Sequence, residues 1–131
     1  MGKERILIID DEPSFTRLLR LNLEQAGRYE VREVNEGARA LAEAEAFHPD
    51  LILLDIIMPD ADGAAIGAQL REHATLNAIP IVFLTAVVSK EEARDTGGYI
   101  GGNFFLAKPV SMEELLSSVE AKLSQGKEAH R

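Results

Sequence analysis

Short apolar runs alternate with longer amphipathic stretches along the whole chain. Five runs of four to six residues predict strands: Ile6–Ile9, Tyr29–Val34, Leu51–Leu54, Ile79–Leu84 and Phe104–Ala107. The stretches between these runs have the length of helices. This alternation of strand and helix signals predicts an α/β fold, in which helices cover both faces of a parallel sheet.

The composition of each run indicates its place in the sheet. Three runs are apolar without interruption, which is typical of strands buried on both faces: Ile6–Ile9, Leu51–Leu54 and Ile81–Leu84. We expect these three at the centre. The run Tyr29–Val34 instead mixes Glu30, Arg32 and Glu33 with apolar residues, as a strand at the edge of a sheet does.

The first three amphipathic stretches carry helix start and stop signals. Pro13 follows acidic residues and suits the first position of a helix, and Gly27 ends that helix. The second helix is predicted over Glu36–Phe47, because Pro49 follows it. The third is predicted over Gly63–Glu72.

Two further helices are predicted from capping boxes, in which a serine and a glutamate three residues later cap the first turn. The segments Ser89–Glu92 and Ser111–Glu114 both match this pattern. We expect the last helix to end at Gly126. The element order is then (βα)5, with one domain over residues 1–126 and a polar tail over residues 127–131.

Composition narrows the classes of function. The 131 residues contain no cysteine, which excludes disulfides, thiolate metal sites and cysteine nucleophiles. The chain has 22 acidic against 14 basic residues, and this acid excess argues against direct binding to nucleic acid. The apolar runs are too short to span a membrane, and the N-terminus does not resemble a cleavable signal. We therefore expect a cytoplasmic domain.

Acidic residues follow two of the predicted central strands. Asp10 and Asp11 come directly after the first strand, and Asp55 comes after the third. In an open parallel sheet ligands bind beyond the carboxyl ends of the strands, and in a 2-1-3-4-5 order the first and third strands flank that point. Carboxylates about 4 Å apart repel by roughly 4 kcal/mol at an effective dielectric of about 20, so the cluster needs either a cation or raised pKa values. A hard, oxygen-seeking cation is the simpler answer. Mg²⁺ suits it best, because it is held by one or two carboxylates, several waters and a phosphate oxygen.

The fourth and fifth predicted strands lead into Thr85 and Lys108. At the same edge of the sheet, these residues add a hydroxyl and a fixed cation, both suited to a phosphoryl oxygen. The three histidines, His48, His73 and His130, lie away from the strand ends. A carboxylate is therefore the nucleophile that the sequence offers, and an aspartyl phosphate is established chemistry.

Four segments, in order along nearly the whole chain, resemble the receiver domain of two-component response regulators, among them the chemotaxis regulators. They are Ile6–Pro13, Leu51–Gly63, Val82–Ala86 and Phe105–Pro109. The resemblance implies a flavodoxin-like, doubly wound parallel sheet of order 2-1-3-4-5. It also implies a phosphoacceptor switch that works in a phosphorelay.

The resemblance assigns roles to the acidic cluster. It implies that Asp55 accepts a phosphoryl group from the phosphohistidine of a sensor histidine kinase or of a phosphotransfer protein. It further implies that Mg²⁺ is held by Asp10, Asp11, Asp55 and the backbone carbonyl of Ile57. Such a domain assists its own phosphorylation and dephosphorylation but is not an enzyme with a separate substrate.

The resemblance also assigns the phosphoryl-binding residues and the switch. Thr85 and Lys108 are expected to bind the phosphoryl oxygens. In the family the threonine moves toward the phosphate, and the aromatic residue at the position of Phe105 turns inward. These changes reshape the surface formed by the fourth helix, the fifth strand and the fifth helix, which binds a downstream effector protein or output domain.

One segment departs from the family pattern. Two of four closely spaced glycines fall where the fourth helix of the family normally continues: Gly97 and Gly98, followed by Gly101 and Gly102. Each glycine inside a helix costs about 1 kcal/mol relative to alanine. We therefore expect the fourth helix to be short or frayed at its end.

Two other readings use the same residues. A phosphatase of the haloacid dehalogenase type also uses a strand-end aspartate, a Thr or Ser, a Lys and Mg²⁺. That class places its nucleophile in an Asp-x-Asp after the first strand and needs a cap, whereas this first strand ends in Asp-Asp-Glu without a cap-sized insertion. A degenerate receiver that serves only as an interaction surface is the other alternative, and the presence of all five active positions argues against it.

Overall fold

Five parallel strands form the centre of the molecule. The computed structural model describes residues 2–86, 91, 99–100 and 103–129. We number the parallel strands along the chain: β1 (Glu4–Ile9), β2 (Tyr29–Val34), β3 (Leu51–Asp55), β4 (Ile81–Thr85) and β5 (Asn103–Ala107). Their order in the sheet is β2-β1-β3-β4-β5, as predicted.

Helices cover both faces of the sheet. They are α1 (Pro13–Gln25), α2 (Ala40–Phe47), α3 (Gly63–Glu72) and a C-terminal helix (Met112–Ala129). One apolar core lies between the sheet and α1 with the C-terminal helix, and a second lies between the sheet and α2 with α3. Among the residues described, no helix combines the length and the apolar composition needed to cross a membrane.

The central and edge positions of the strands are confirmed. Ile6 to Ile9 of β1 are fully buried and pair with β2 on one side and β3 on the other. Successive side chains point to opposite faces of a strand, so Ile6 and Ile8 enter one core while Leu7 and Ile9 enter the other. The charged strand β2 lies at the edge, with Glu30 exposed to solvent.

Two helix boundaries were predicted wrongly. The second helix begins with a 3-10 turn over Gly37–Arg39, and its α-helical part starts only at Ala40. The C-terminal helix does not end at Gly126 but continues to Ala129. A single glycine costs a helix only about 1 kcal/mol, and the Lys, Glu and Ala that follow are good helix formers.

Two short antiparallel pairs were not predicted. Tyr99–Ile100 pairs with the start of β5 and adds a sixth strand at that edge of the sheet. Ile57–Met58 pairs with Ala61–Asp62 directly after β3. The predicted helix start at Ser89 and the four clustered glycines lie outside the described residues.

Side-chain caps fix the start of two helices near the site. The predicted Ser111 cap is confirmed, because its hydroxyl accepts the backbone N–H of Glu114 at 3.1 Å. Asp62 caps α3 by accepting from the N–H of Ala64 at 2.9 Å. Asp60 accepts from the N–H of Gly37 at 2.9 Å and so ties the loop after β3 to the 3-10 turn.

Gly63 allows the first turn of α3 to pack against the end of β3. A Cβ atom at this position would lie 2.0 Å from the carbonyl oxygen of Asp55 and 2.6 Å from the Cα of Ile56. Both are backbone atoms and cannot move aside singly. We expect Gly63→Ala to lower the free energy of unfolding by about 2 kcal/mol, measured by urea denaturation. Gly2→Ala is the control, since a Cβ there meets nothing within 4 Å, and equal losses in both variants would contradict the expectation.

Candidate functional site

Three carboxylates meet at the carboxyl ends of β1 and β3. These strands pair with Ile9 opposite Leu54, so Asp10 and Asp55 leave the sheet side by side. One carboxylate oxygen each from Asp10, Asp11 and Asp55 lie within 4.8 Å of one another. Asp10 is 0% exposed and Asp55 is 4% exposed. The structure therefore brings together the three acids that the sequence predicted.

Lys108 supplies the positive charge beside these acids. Its Nζ lies 2.8 Å from Oδ2 of Asp10 and 3.6 Å from Oδ1 of Asp55. Its backbone N–H donates to the carbonyl oxygen of Thr85 at 2.8 Å, which joins the ends of β4 and β5. Thr85 is buried, and the Lys108–Pro109 peptide bond is cis. All the residues predicted from strand ends thus share one edge of the sheet.

The site keeps an unbalanced negative charge. Burial raises the pKa of Asp55, the neighbouring Asp10 carboxylate raises it further, and Lys108 only partly opposes these effects. Burial would lower the pKa of Lys108, but its hydrogen bond to Asp10 and the surrounding carboxylates raise it above its ordinary value. Lys108 therefore stays charged, and one ammonium faces three carboxylates. Carboxylate oxygens are the ligands that hard divalent cations prefer, so the donor set fits such an ion.

Two residues that sequence reasoning missed support this arrangement. The ring of Phe15 lies under Lys108, with Nζ 4.5 Å from the ring centroid. The side-chain amide of Asn35 donates to the carbonyl oxygen of Asp10 at 2.8 Å. Asn35 directly follows β2 at the same edge of the sheet, and this position is the signal that could have identified it. Nothing in the sequence places Phe15 under Lys108.

Of the two remaining predicted residues, Ile57 contacts Asp55, whereas Phe105 lies within β5. Ile57 is 61% exposed, and its N–H donates to Oδ1 of Asp55 at 3.4 Å. Phe105 stacks on Phe83, with ring centroids 5.2 Å apart and planes inclined by 26°. Phe104 packs against the opposite core, as expected for adjacent residues of one strand.

Burial and the neighbouring Asp10 carboxylate disfavour the charged form of Asp55, which raises the pKa of this group. In the absence of a metal ion, the charge of Asp55 therefore destabilises the fold. We expect Asp55→Asn to raise the free energy of unfolding of the metal-free chain by about 1 kcal/mol at neutral pH. A raised folded-state pKa means that the folded chain binds more protons than the unfolded chain, so the stability of the parent rises as the pH falls through this pKa. The advantage of the variant therefore shrinks on acidification.

Urea denaturation in the presence of a chelator measures this difference. Asp60→Asn is the matched control, because Asp60 is exposed and an amide oxygen can still accept from Gly37. The control is expected to unfold like the parent. A parent and an Asp55→Asn variant of equal stability at neutral pH would contradict the expectation.

Comparisons with known proteins agree with this geometry. Residues 6–120 match the response regulator receiver domain family. The chain is 39% identical over 119 residues to the DNA-binding dual master transcriptional regulator RpaA of Synechocystis, which covers 91% of this chain and 48% of that protein. It is also 39% identical over 122 residues to the alkaline phosphatase synthesis transcriptional regulatory protein PhoP of Bacillus subtilis, over 92% of this chain and 48% of that protein. The chain thus spans about half the length of these curated relatives.

Solved structures show the same fold. The chemotaxis protein CheY4 of Vibrio cholerae matches with a TM-score of 0.78 and 29% identity, over 92% of this chain and 99% of that chain. A CheY-like receiver domain protein of Methanospirillum hungatei matches with a TM-score of 0.82 and 25% identity, over 98% of this chain and 99% of that chain.

The fold and the acidic site define a signalling domain of the two-component type. The chain belongs to the response regulator receiver domain family. Receiver domains of this family are phosphorylated on an aspartate and bind Mg²⁺ at an acidic cluster. Here Asp10, Asp11 and Asp55 form a cluster that can hold a metal ion.

Proposed function

We propose that the chain is a phosphoacceptor switch and that Asp55 is its phosphorylated residue. The donor is the phosphohistidine of a sensor histidine kinase or of a phosphotransfer protein. One observation carries the proposal: the carboxylate of Asp55 closes a cluster with Asp10 and Asp11 and lies 3.6 Å from the ammonium of Lys108. Cation ligands and a fixed positive charge are the two requirements of phosphoryl transfer to an oxygen nucleophile.

The same cluster is proposed to hold Mg²⁺. Asp10, Asp11, Asp55 and the backbone carbonyl of Ile57 are its protein ligands. The cluster supports this assignment because its three carboxylate oxygens lie within 4.8 Å of one another and repel each other without a cation. When bound, the ion neutralises the carboxylates and the incoming phosphoryl oxygens.

The chain's own residues perform the transfer. A carboxylate oxygen of Asp55 forms the new bond to phosphorus, and the bond from phosphorus to the histidine nitrogen breaks. The histidine nitrogen keeps the electron pair and takes up a proton. Lys108 turns from Asp10 to a phosphoryl oxygen, and the hydroxyl of Thr85 donates to another. Both interactions are charge-assisted, which makes them stronger than neutral hydrogen bonds.

The switch is proposed to run through Thr85 and Phe105. A phosphoryl group adds about −1.5 to −2 charges and strong acceptor oxygens, which draw the hydroxyl of Thr85 toward Asp55. Phe83 lies on the same strand as Thr85 and stacks on Phe105, so movement at the end of β4 reaches the ring of Phe105. Phenylalanine has no hydroxyl, and the signal is therefore a change of packing.

The reader of this signal is a downstream effector protein or an output domain. It binds the surface made of the predicted fourth helix, β5 and the C-terminal helix. The predicted fourth helix lies outside the described residues, apart from Glu91. We infer that the domain acts by binding in the cytoplasm and turns over no separate substrate.

Phosphorylation by a small-molecule donor tests the proposal. The chain is incubated with acetyl phosphate and Mg²⁺, and intact-mass and peptide analysis locate the added group. We expect one phosphoryl group on the peptide that contains Asp55, and we expect a chelator to prevent its addition. Addition at another residue, or equal addition in the chelator, would overturn the proposal.

A further inference from the structure

A row of hydrogen bonds runs from the backbone of Asp10 to the outer edge of the sheet. The side-chain amide of Asn35 donates to the carbonyl oxygen of Asp10 at 2.8 Å and to the hydroxyl of Thr16 at 3.0 Å. The hydroxyl of Thr16 lies 2.6 Å from Oε1 of Glu33. At the end of this row, Arg20 forms an ion pair with Oε2 of the same carboxylate, with Nε at 2.6 Å.

The donors and acceptors in this row can be assigned. A backbone carbonyl only accepts, so the atom of Asn35 that faces Asp10 is the amide nitrogen. Its second proton is directed at the oxygen of Thr16. The single hydroxyl proton of Thr16 serves the contact of 2.6 Å with Glu33 rather than the longer contact of 3.2 Å with the carbonyl of Pro13. The hydroxyl of Thr16 therefore both accepts and donates.

Core packing alone does not explain why a residue with a hydroxyl, Thr16, occupies this buried position. It is 0% exposed and shares the buried stripe of α1 with Leu19 and Leu23. An apolar side chain at this position would avoid the loss of hydration that a buried hydroxyl suffers. The hydroxyl of Thr16 instead forms hydrogen bonds to Asn35 and Glu33.

The inner end of the row fixes the acidic turn. Oδ1 of Asp10 accepts from the N–H of Glu12 at 3.0 Å, and Oδ2 contacts Lys108. These contacts hold the carboxylate, whereas the bond from Asn35 holds the carbonyl. The carbonyl of Asp10 and the N–H of Asp11 belong to one planar peptide unit. Asn35 therefore sets the direction in which the chain enters Asp11.

We propose that Asn35 and Thr16, anchored by Glu33, are positioning residues that orient the Asp10–Asp11 peptide for cation binding. This inference rests on the proposed cation site of Asp10, Asp11 and Asp55. Partners that orient ligating groups typically change metal affinity by about tenfold or more when they are removed.

Paired substitutions test this role. Thr16→Val keeps the shape of the side chain but removes the hydroxyl, whereas Thr16→Ser keeps the hydroxyl. Asn35→Ala removes both amide donors. Asn22→Ala is its control, because the amide of Asn22 also donates to a backbone carbonyl, that of Leu18, at 2.8 Å but on the exposed side of α1.

Two measurements are made on each variant of the 131-residue chain. The first is the dissociation constant for Mn²⁺ by electron paramagnetic resonance, with Mn²⁺ as the probe for a divalent cation. The second is the exchange rate of the Glu12 amide in the metal-free chain by NMR. We expect Thr16→Val and Asn35→Ala to weaken Mn²⁺ binding about tenfold and to speed exchange, while Thr16→Ser and Asn22→Ala stay within about twofold of the parent.

Several results would overturn the inference. The first is an Asn35→Ala variant that binds Mn²⁺ as tightly as the parent does. The second is an equal loss of Mn²⁺ affinity in Thr16→Ser and Thr16→Val. Should Thr16→Val not fold, Asn35→Ala decides alone, because Asn35 is only half-buried. A parent that binds Mn²⁺ but takes no phosphoryl group on Asp55 contradicts the proposed function. The inference is then still decided by the Mn²⁺ dissociation constants of the variants. A parent that binds no Mn²⁺ contradicts both.

Discussion

Phosphoryl incorporation from acetyl phosphate is expected to fall at least about a thousandfold in Asp55→Asn, because an amide oxygen cannot replace the carboxylate as nucleophile. The substitution keeps the shape of the side chain and removes a charge that the pocket disfavours, since burial and Asp10 raise the pKa of Asp55. The variant is therefore expected to fold at least as well as the parent. The loss is measured by intact mass over time in the presence of Mg²⁺.

A matched aspartate separates this loss from a general effect of charge. Asp60 lies in the loop after β3 and accepts from Gly37, a bond that an amide oxygen can retain. Asp60→Asn is expected to incorporate phosphoryl groups at the parental rate. Equal incorporation in Asp55→Asn and the parent would move the acceptor role to another residue.

Lys108→Met is expected to change phosphorylation and cation binding in opposite directions. Phosphoryl incorporation should fall about a hundredfold, because the ammonium that meets the phosphoryl oxygen is lost. Mg²⁺ affinity should instead rise by about tenfold, because the ammonium at 2.8 Å from Asp10 and 3.6 Å from Asp55 no longer offsets the three carboxylates. Methionine keeps an unbranched side chain over the ring of Phe15, so packing is largely retained.

Isothermal titration calorimetry with Mg²⁺ measures the affinity, and labelling with acetyl phosphate measures phosphoryl incorporation. Lys122→Met is the control, because Lys122 also lies over an aromatic ring, that of Phe104, with Nζ 4.3 Å from its centroid. Lys122 belongs to the C-terminal helix, away from the acidic cluster. Unchanged labelling in Lys108→Met, or weaker Mg²⁺ binding, would contradict the assigned role of Lys108.

Much of the fold could be predicted from the sequence because the strand signals are local. Uninterrupted apolar runs identified β1, β3 and β4 as buried, and the mixed charges of β2 identified an edge strand. Burial on both faces leaves no room for polar side chains, so these patterns allow few other arrangements. Helix ends were harder to predict, because a glycine such as Gly126 opposes a helix only weakly and its neighbours can outweigh it.

The candidate site could be predicted for a different reason. Asp10, Asp55, Thr85 and Lys108 each stand at the end of a strand, and parallel strands bring their carboxyl ends to one edge. The support of the site could not be predicted in this way. Thr16 reaches Glu33 across 17 positions of sequence, and Lys108 reaches Asp10 across 98. Such contacts depend on the distances between elements that are far apart in the sequence, and no local pattern records these distances.

The sequence by itself determined the α/β class, the central strands and the acidic residues that meet at one edge of the sheet. These follow from hydrophobic periodicity and from the chemistry of the residues at strand ends. Only the tertiary structure decided that Lys108 contacts Asp10 more closely than Asp55, that Phe105 stacks on Phe83, and that Asn35 holds the carbonyl of Asp10. Close packing determines which of these groups come within contact distance, and this packing forms only once distant segments of the chain have come together.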